Sequence, residues 1–259
     1  MIMINPSKYK EILLLDASRF ESLIVNLNLL ENQALKSEFI DYEVREKSIS
    51  TYSYINLEKN KKNKNCPYRK FTNWVNNFII QPNTLLGREG PVCPYVSYSL
   101  KKQLFFCTVY SEDTSQITIE EKLLQYRDWF LELEVKPKRN EVFKTFIILL
   151  PNIAEQNTPQ LMKAIHNRLK TEFVSKGLML GEFFPGYSQS GLWNQKFYPL
   201  SSPLPLFVIR YMVANDYYFL KDNQLFFEFY LKFFQGKIPD NLEKLVRNTA
   251  QNYQIEVLY

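Results

Sequence analysis

The sequence is short of the residues on which several common kinds of catalytic site depend. Its only histidine is His166, so a cysteine–histidine or serine–histidine pair would have to use it, and an iron site with two histidines is excluded. Its seven glycines disfavour folds built from many tight glycine turns. Neither the glycine-rich dinucleotide pattern nor the phosphate-loop pattern occurs, so the sequence gives no support to nucleotide binding by such a loop.

Long apolar runs and paired cysteines are also missing. No run reaches the roughly 18 apolar residues of a membrane-spanning helix, and the segment from Met1 to Asp16 lacks the cleavage site of a signal peptide. The three cysteines, Cys66, Cys93 and Cys107, are an odd number, which argues against a disulfide framework and leaves thiol or metal roles open. We therefore expect a cytoplasmic protein that does not bind membranes.

The positive charge of the chain is concentrated in one segment. The formal net charge is +5, and residues 58–70, with six basic residues and one acidic residue, account for all of it. A nucleic-acid groove needs basic residues spread over a folded face, whereas an asparagine- and lysine-rich tract is typical of a solvated loop. We therefore predict no nucleic-acid binding.

The basic tract also divides the chain into three parts. Apolar residues recur at helical spacing from Phe20 to Leu30, so we interpret residues 1–56 as a helical N-terminal extension. Residues 57–69 form the basic loop, and residues 70–259 form an α+β catalytic or binding domain. With 46% apolar residues, the chain can bury a full-sized core.

Apolar periodicity predicts the elements of this domain, a single mixed sheet flanked by helices. Helices are predicted at 71–81, 118–136, 158–176, 223–234 and 239–253, and strands at 104–109, 142–150, 206–213 and 255–258. The nearly continuous apolar run before Pro151 is typical of a central strand covered on both faces. An irregular stretch is predicted from Gly177 to Pro205, and because loops of such length tend to be functional, we expect it to cover a site.

The segment from Gly87 to Tyr95, Gly-Arg-Glu-Gly-Pro-Val-Cys-Pro-Tyr, contains the strongest candidate for a functional residue. Two glycines and two prolines fix the backbone around Cys93, as in a protein that holds a thiol rigidly at its surface or against a ligand. Its thiolate could bind a soft metal such as haem iron, but a buried cysteine that acts as a small hydrophobic residue is the simpler alternative. Cys66 is predicted to be exposed, and Cys107 to lie in the core.

Five charged or titratable side chains are further candidates. His166, in the middle of a predicted helix, is either a partly buried helix residue or a haem ligand or proton carrier. Glu182 lies between apolar neighbours and is a candidate for proton transfer or for pairing with an arginine. Arg210 interrupts an apolar strand and is the candidate partner, and it could also bind a carboxylate. Asp216 and Arg88 complete the set.

Three segments carry a resemblance to known proteins. They are Gly87–Tyr95, Gly177–Phe183, and Ser202–Pro205 leading into Ile209–Val213 with Asp216. Together they resemble a bacterial family of uncharacterised proteins found in natural-product gene clusters, over about residues 70 to 235. More distantly, the order of elements is similar to the YqcI/YcgG-like family, in which some members are haem-dependent N-hydroxylases acting on amino or guanidino groups.

The resemblance implies a haem-dependent oxygenase of specialised metabolism with a small amino- or guanidino-containing substrate and an electron-transfer partner. Cys93 would be the axial ligand, with His166 as the alternative. The residues implied in cofactor binding are Arg88, Gly90, Cys93, Pro94 and Arg210, and those implied in catalysis are Glu182, Arg210 and Asp216. Two other functions remain open: a cofactor-free enzyme, such as a transferase, with Cys93 as nucleophile, and a non-catalytic small-molecule binding protein.

Overall fold

The computed structural model describes residues 25–26 and 66–256, and its centre is one mixed β-sheet with helices on both faces. This confirms the predicted α+β class. The strands are β1 (Val25–Asn26), β2 (Phe105–Val109), β3 (Thr145–Leu149), β4 (Leu178–Phe183) and β5 (Leu206–Tyr211). Their order in the sheet is β1-β2-β3-β5-β4, in which only the β2–β3 pair is parallel.

Seven α-helices are described within this part of the chain. They are α1 (Pro67–Trp74), α2 (Pro94–Lys101), α3 (Gln116–Glu132), α4 (Thr158–Val174), α5 (Tyr217–Leu220), α6 (Gln224–Phe234) and α7 (Asp240–Tyr253). A π-helical turn, Val75–Ile79, prolongs α1 close to the predicted end at Gln81. None of the helices in the described ranges has the length and apolar character needed to cross a bilayer.

The two faces of the sheet are covered by different helices. On the α3–α4 face, Phe106, Phe146 and Ile209 pack in the largest apolar cluster with residues of α3 and α4. On the α1–α2 face, Phe105, Ile147 and their neighbours pack with residues of α1 and α2. Successive strand residues point to opposite faces, and nearly every residue of β2 and β3 is buried, so both faces of these strands are covered. For β3 this confirms the prediction from the apolar run before Pro151.

Helix boundaries follow the local capping residues. Helix α4 begins at Thr158, with a proline in its first turn, as predicted. Helix α3 begins earlier than the predicted Thr118, because the side chain of Ser115 accepts a hydrogen bond from Thr118 N and caps the helix. Helices α6 and α7 confirm the two predicted C-terminal helices, and with α5 they form a third apolar cluster.

The main correction concerns the stretch from Gly177 to Pro205, which is not irregular throughout. Gly177, at φ 73°, lies in the left-handed region just after α4, and the chain then enters strand β4, antiparallel to β5. Buried and half-buried residues alternate along β4. The alternation was hidden in the sequence because a glycine and a glutamate interrupt the apolar residues. The long loop is therefore shorter, spanning residues 184–205.

Smaller corrections concern one helix, one cysteine and the two ends of the described chain. Helix α2 was not predicted, since the glycines and prolines before it indicated only a loop. Cys66 is 4% exposed, because it lies at the start of α1 and not in a solvated loop. The two described residues of the N-terminal extension form strand β1 on the edge of β2, where unpaired backbone groups favour a strand over the predicted helix. Residues 255–256 are not a strand, and the remaining parts of these two segments lie outside the described residues.

Candidate functional site

Cys93 lies at the N-terminus of α2, as the cap residue of that helix. Its backbone N–H donates to Ile79 O at 2.9 Å, and the N–H of Val92 donates to Gln81 O at 3.1 Å. These two bonds anchor the segment to the end of the π-helical turn. Pro94 occupies the first turn of α2, where a missing N–H costs nothing. Of the three cysteines, Cys93 is the one that is partly exposed, whereas Cys107 is buried in the core, as predicted.

Arg88 closes the loop that leads to Cys93. Its guanidinium donates to three backbone carbonyls: to Glu89 O at 2.9 Å, and to Pro91 O and Val92 O at 3.1 Å each. Gly90, at φ 90°, supplies the left-handed turn between them. The predicted cofactor-binding residues Arg88 and Gly90 therefore fix the path of the loop, so that Gly87 and Cys93 belong to one compact turn.

Arg210 and Asp216 form a bidentate ion pair at the end of β5. Nη1 and Nη2 of Arg210 each donate to one carboxylate oxygen of Asp216 at 2.7 Å. Val213 N donates to Asp216 Oδ2 at 2.8 Å, and Asp216 is 1% exposed. Burial by itself would lower the pKa of Arg210, but the carboxylate of Asp216 raises it, so the guanidinium stays charged. The carboxylate of Asp216 therefore holds the guanidinium of Arg210 in place.

The fold brings Cys93 and Arg210 to the same face of the sheet. Arg210 pairs in register with Thr145 of β3, and directly opposed residues of an antiparallel pair point to the same face. Ser99 of α2 donates to Phe143 O at 2.6 Å and lies 3.4 Å from the hydroxyl of Thr145. These contacts dock α2 beside Arg210, with Cys93 at its N-terminus.

Charge interactions connect these groups. Burial raises the pKa of Tyr95, and the nearby charge of Arg210 lowers it again in part. Cys93 and Tyr95 in turn both favour the charged form of Arg210. We call Cys93, Tyr95, Arg210 and Asp216 the Cys93 site. Tyr95 was part of the motif quoted above but was not predicted as a site residue.

Glu182 and His166 lie on the other face of the sheet. Glu182 is opposite Phe207 of β5 and points to the α3–α4 face, so its predicted pairing with Arg210 is wrong. Its carboxylate instead accepts a hydrogen bond from Tyr187 Oη at 2.8 Å and lies 3.3 Å from His166 Nε2. Burial lowers the pKa of His166, against the opposing effect of Glu182. The two alternative iron ligands, Cys93 and His166, thus belong to different sites.

Lys144, on the same face, is a buried lysine that no pattern in the sequence predicted. Lys144 is 0% exposed, and its Nζ donates to Phe130 O and Leu133 O, carbonyls of the last turn of α3. Its ammonium lies 4.5 Å from the ring centroid of Phe130 and 5.3 Å from that of Tyr211. Burial lowers the pKa of Lys144 to about 8. The lysine caps the C-terminus of α3 and is satisfied where it lies.

The fold and the site define a class: an α+β protein with a thiol and a paired guanidinium on one face of a mixed sheet. Residues 68–245 match the family described as "Domain of unknown function (DUF6875)", and the chain belongs to this family. Comparisons with curated proteins and with solved structures find no match. Within residues 66–256, no group of three or more histidine, cysteine or acidic side chains is arranged to hold a metal ion.

Proposed function

We propose that the protein is an enzyme in which the thiolate of Cys93 acts on a small molecule whose anionic group binds Arg210. The observation that carries the proposal is the placement of a partly exposed thiol beside a partly exposed guanidinium on one face of the sheet. The side chain of Arg210 is 32% exposed, although its partner Asp216 is buried. A charged group that a protein holds rigidly and leaves accessible is a typical binding residue.

Arg210 has donors to spare for a ligand. In the part of the chain that the structure describes, its Nη1 donates to Asp216 and to Tyr211 O, and its Nη2 donates once to Asp216. Nε–H and the second Nη2–H remain for a carboxylate or a similar anion. Asp216 is 1% exposed and its charge is balanced by Arg210, so we do not propose that it holds a cationic substrate nitrogen.

Cys93 is suited to nucleophilic attack. It is the N-cap residue of α2, and its side chain makes no hydrogen bond to the first turn of the helix. A cysteine that is partly exposed and makes no capping hydrogen bond is open to reagents from solvent. Such a nucleophile fits a group-transfer reaction through a covalent intermediate.

Alkylation with iodoacetamide at neutral pH tests this proposal. We expect mass spectrometry to find the label on Cys93, with Cys66 and Cys107 unlabelled in the folded protein because both are buried. Cys93→Ser should lose the label and keep the fold. Labelling of Cys93 no faster than that of glutathione would contradict the proposed nucleophile.

A haem-dependent oxygenase is the second candidate, and the residues of the Cys93 site fit this cofactor. Cys93 offers a soft sulfur donor for iron, and the spare donors of Arg210 suit a haem propionate. Haem would supply oxygen activation, while this chain would hold it through Cys93 and Arg210. The substrate in this case would be an amino- or guanidino-containing metabolite, and an electron-transfer partner would supply the reducing equivalents.

Absorption spectra of the protein with and without added haemin separate the two candidates. The oxygenase predicts a Soret band that Cys93→Ala changes and His166→Ala does not, because His166 lies on the other face of the sheet. No Soret band after reconstitution, or a band that Cys93→Ala leaves unchanged, would remove this candidate. A protein that shows no Soret band and no fast labelling of Cys93 would be a non-catalytic binding protein.

A further inference from the structure

The long loop, residues 184–205, is attached to the turn that carries Cys93. Gly87, at φ 78°, lies so close to the loop that a Cβ placed on it would be 2.8 Å from Cβ of Trp193. Asn194 Nδ2 donates to Leu85 O at 2.8 Å, beside the same glycine. Phe197 of the loop is buried, and its ring centroid is 6.0 Å from that of Phe78. The loop therefore packs on the turn that leads to Cys93.

The same loop also reaches the segment that holds Arg210 in place. The indole of Trp193 lies edge-on to the ring of Tyr218, with centroids 5.8 Å apart. Tyr218 follows Asp216 by two residues, in α5. Trp193 thus contacts both the turn that leads to Cys93 and the helix that follows Asp216.

Trp193 is exposed although its backbone is fixed. It is 58% exposed, and the turn around it is closed by Gly191 N donating to Phe197 O at 2.7 Å and Lys196 N donating to Asn194 Oδ1 at 2.9 Å. A large aromatic ring on a well-bonded loop offers a preformed surface for stacking on a ligand. Because Trp193 touches segments that adjoin both Cys93 and Asp216, we read this ring together with the guanidinium of Arg210.

We propose that Trp193 determines the specificity of the Cys93 site, and that the substrate is a carboxylate carrying a flat aromatic group. The carboxylate binds Arg210, and the aromatic group lies against Trp193 and Tyr218. This inference rests on the proposed function, in that it requires Cys93 to be accessible to small molecules. It adds a substrate class and a residue of the long loop to the site.

The rates at which three maleimides alkylate Cys93 test the inference. The reagents are N-ethylmaleimide, N-phenylmaleimide and N-(4-carboxyphenyl)maleimide, and each rate is divided by the rate with glutathione to remove intrinsic reactivity. In the wild type we expect the phenyl reagent to exceed the ethyl reagent by about 2- to 10-fold, the range for one aromatic contact. The carboxyphenyl reagent should be faster still because of Arg210.

Matched variants assign each preference to its residue. Trp193→Ala should abolish the phenyl preference, and Trp193→Phe should retain most of it, which a merely structural tryptophan would not do. Arg210→Lys should reduce the carboxylate preference alone, because lysine keeps the charge but loses the fork. An unchanged phenyl preference in Trp193→Ala would overturn the inference and leave the proposed function intact. No labelling of Cys93 by any reagent would overturn both.

Discussion

The two faces of the sheet differ in how far their polar side chains are exposed and in whether the protein uses all of their hydrogen-bond donors. On the α3–α4 face, Lys144, Glu182 and Tyr187 are all less than 10% exposed, and each makes hydrogen bonds within the protein. On the α1–α2 face, Cys93 and Arg210 are partly exposed, and Arg210 keeps donors that no described residue uses. A buried polar group must be satisfied internally, whereas one kept accessible at a fixed position is available to a ligand. The comparison therefore separates a face on which these polar side chains serve the structure from the face that carries the proposed site.

The largest expected effect on stability is from Lys144→Met. The substitution leaves the carbonyls of Phe130 and Leu133 buried without their donor, and it should lower the free energy of unfolding by about 2–4 kcal/mol. Urea denaturation measures the change. Lys176→Met, at an exposed lysine, is the control and should change stability by less than about 0.5 kcal/mol. Equal effects of the two substitutions would show that the hydrogen bonds of Lys144 to the end of α3 do not stabilise the fold.

Asp216→Asn should have a smaller effect on stability but a specific one on the Cys93 site. Loss of the charged partner of Arg210 should cost about 2–3 kcal/mol, less than for a fully buried pair because Arg210 is partly exposed. The exposed Asp222→Asn is the matched control, with an effect within about 0.5 kcal/mol. Asp216 does not position Arg210 if Asp216→Asn leaves unchanged both the stability and the preference of Cys93 for the maleimide that carries a carboxylate.

Gly87→Ala tests the attachment of the long loop, and Gly90→Ala is its control. Both glycines have φ in the left-handed region, so alanine introduces similar backbone strain at each. Only at Gly87 does the added Cβ meet Trp193; at Gly90 its nearest neighbour is Nη1 of Arg88, at 3.6 Å. We expect Gly87→Ala to cost about 1–2 kcal/mol more in urea denaturation. Similar costs for both substitutions would contradict the close packing of the loop on Gly87.

The smallest effect is the pH dependence that His166 gives to stability. Burial lowers its pKa in the folded state, so the unfolded chain binds more protons as the pH falls below about 6.5. Stability should be complete above that pH and decrease as the pH falls through the folded-state pKa, by at most about 1.4 kcal/mol per pH unit for one proton. Urea denaturation between pH 7.5 and 5, run at steps of about half a unit, should show a shallower decrease in His166→Gln. Parallel curves for the two proteins would contradict this assignment.

The features that the sequence predicted well are those encoded by continuous local patterns. Strands β2 and β3 are long apolar runs, and α4 begins at a threonine followed by proline, so neither depended on knowing the rest of the fold. Strand β4 was missed because Gly181 and Glu182 break its apolar run. Helix α2 was missed because the glycines and prolines before it are stronger local signals than its eight residues.

The composition of the Cys93 site could be predicted only in part. Cys93 and Arg210 were candidates because each was unusual for its surroundings, and Asp216 was a candidate through the family resemblance. The pairing of Glu182 with Arg210 was wrong because strand register decides which face a side chain points to, and a shift of one residue reverses it. The grouping of Cys93 with Arg210 depends on how α2 docks on β3, which is a tertiary contact without a local signal.

The most direct test of the proposed Cys93 site compares iodoacetate with iodoacetamide as alkylating agents for Cys93, each rate relative to glutathione at low ionic strength. The two reagents differ in one negative charge. An accessible thiol beside a guanidinium with free donors should favour iodoacetate several-fold, and added salt should reduce the preference. A preference for iodoacetamide, or a ratio equal to that of glutathione, would contradict the account of the Cys93 site.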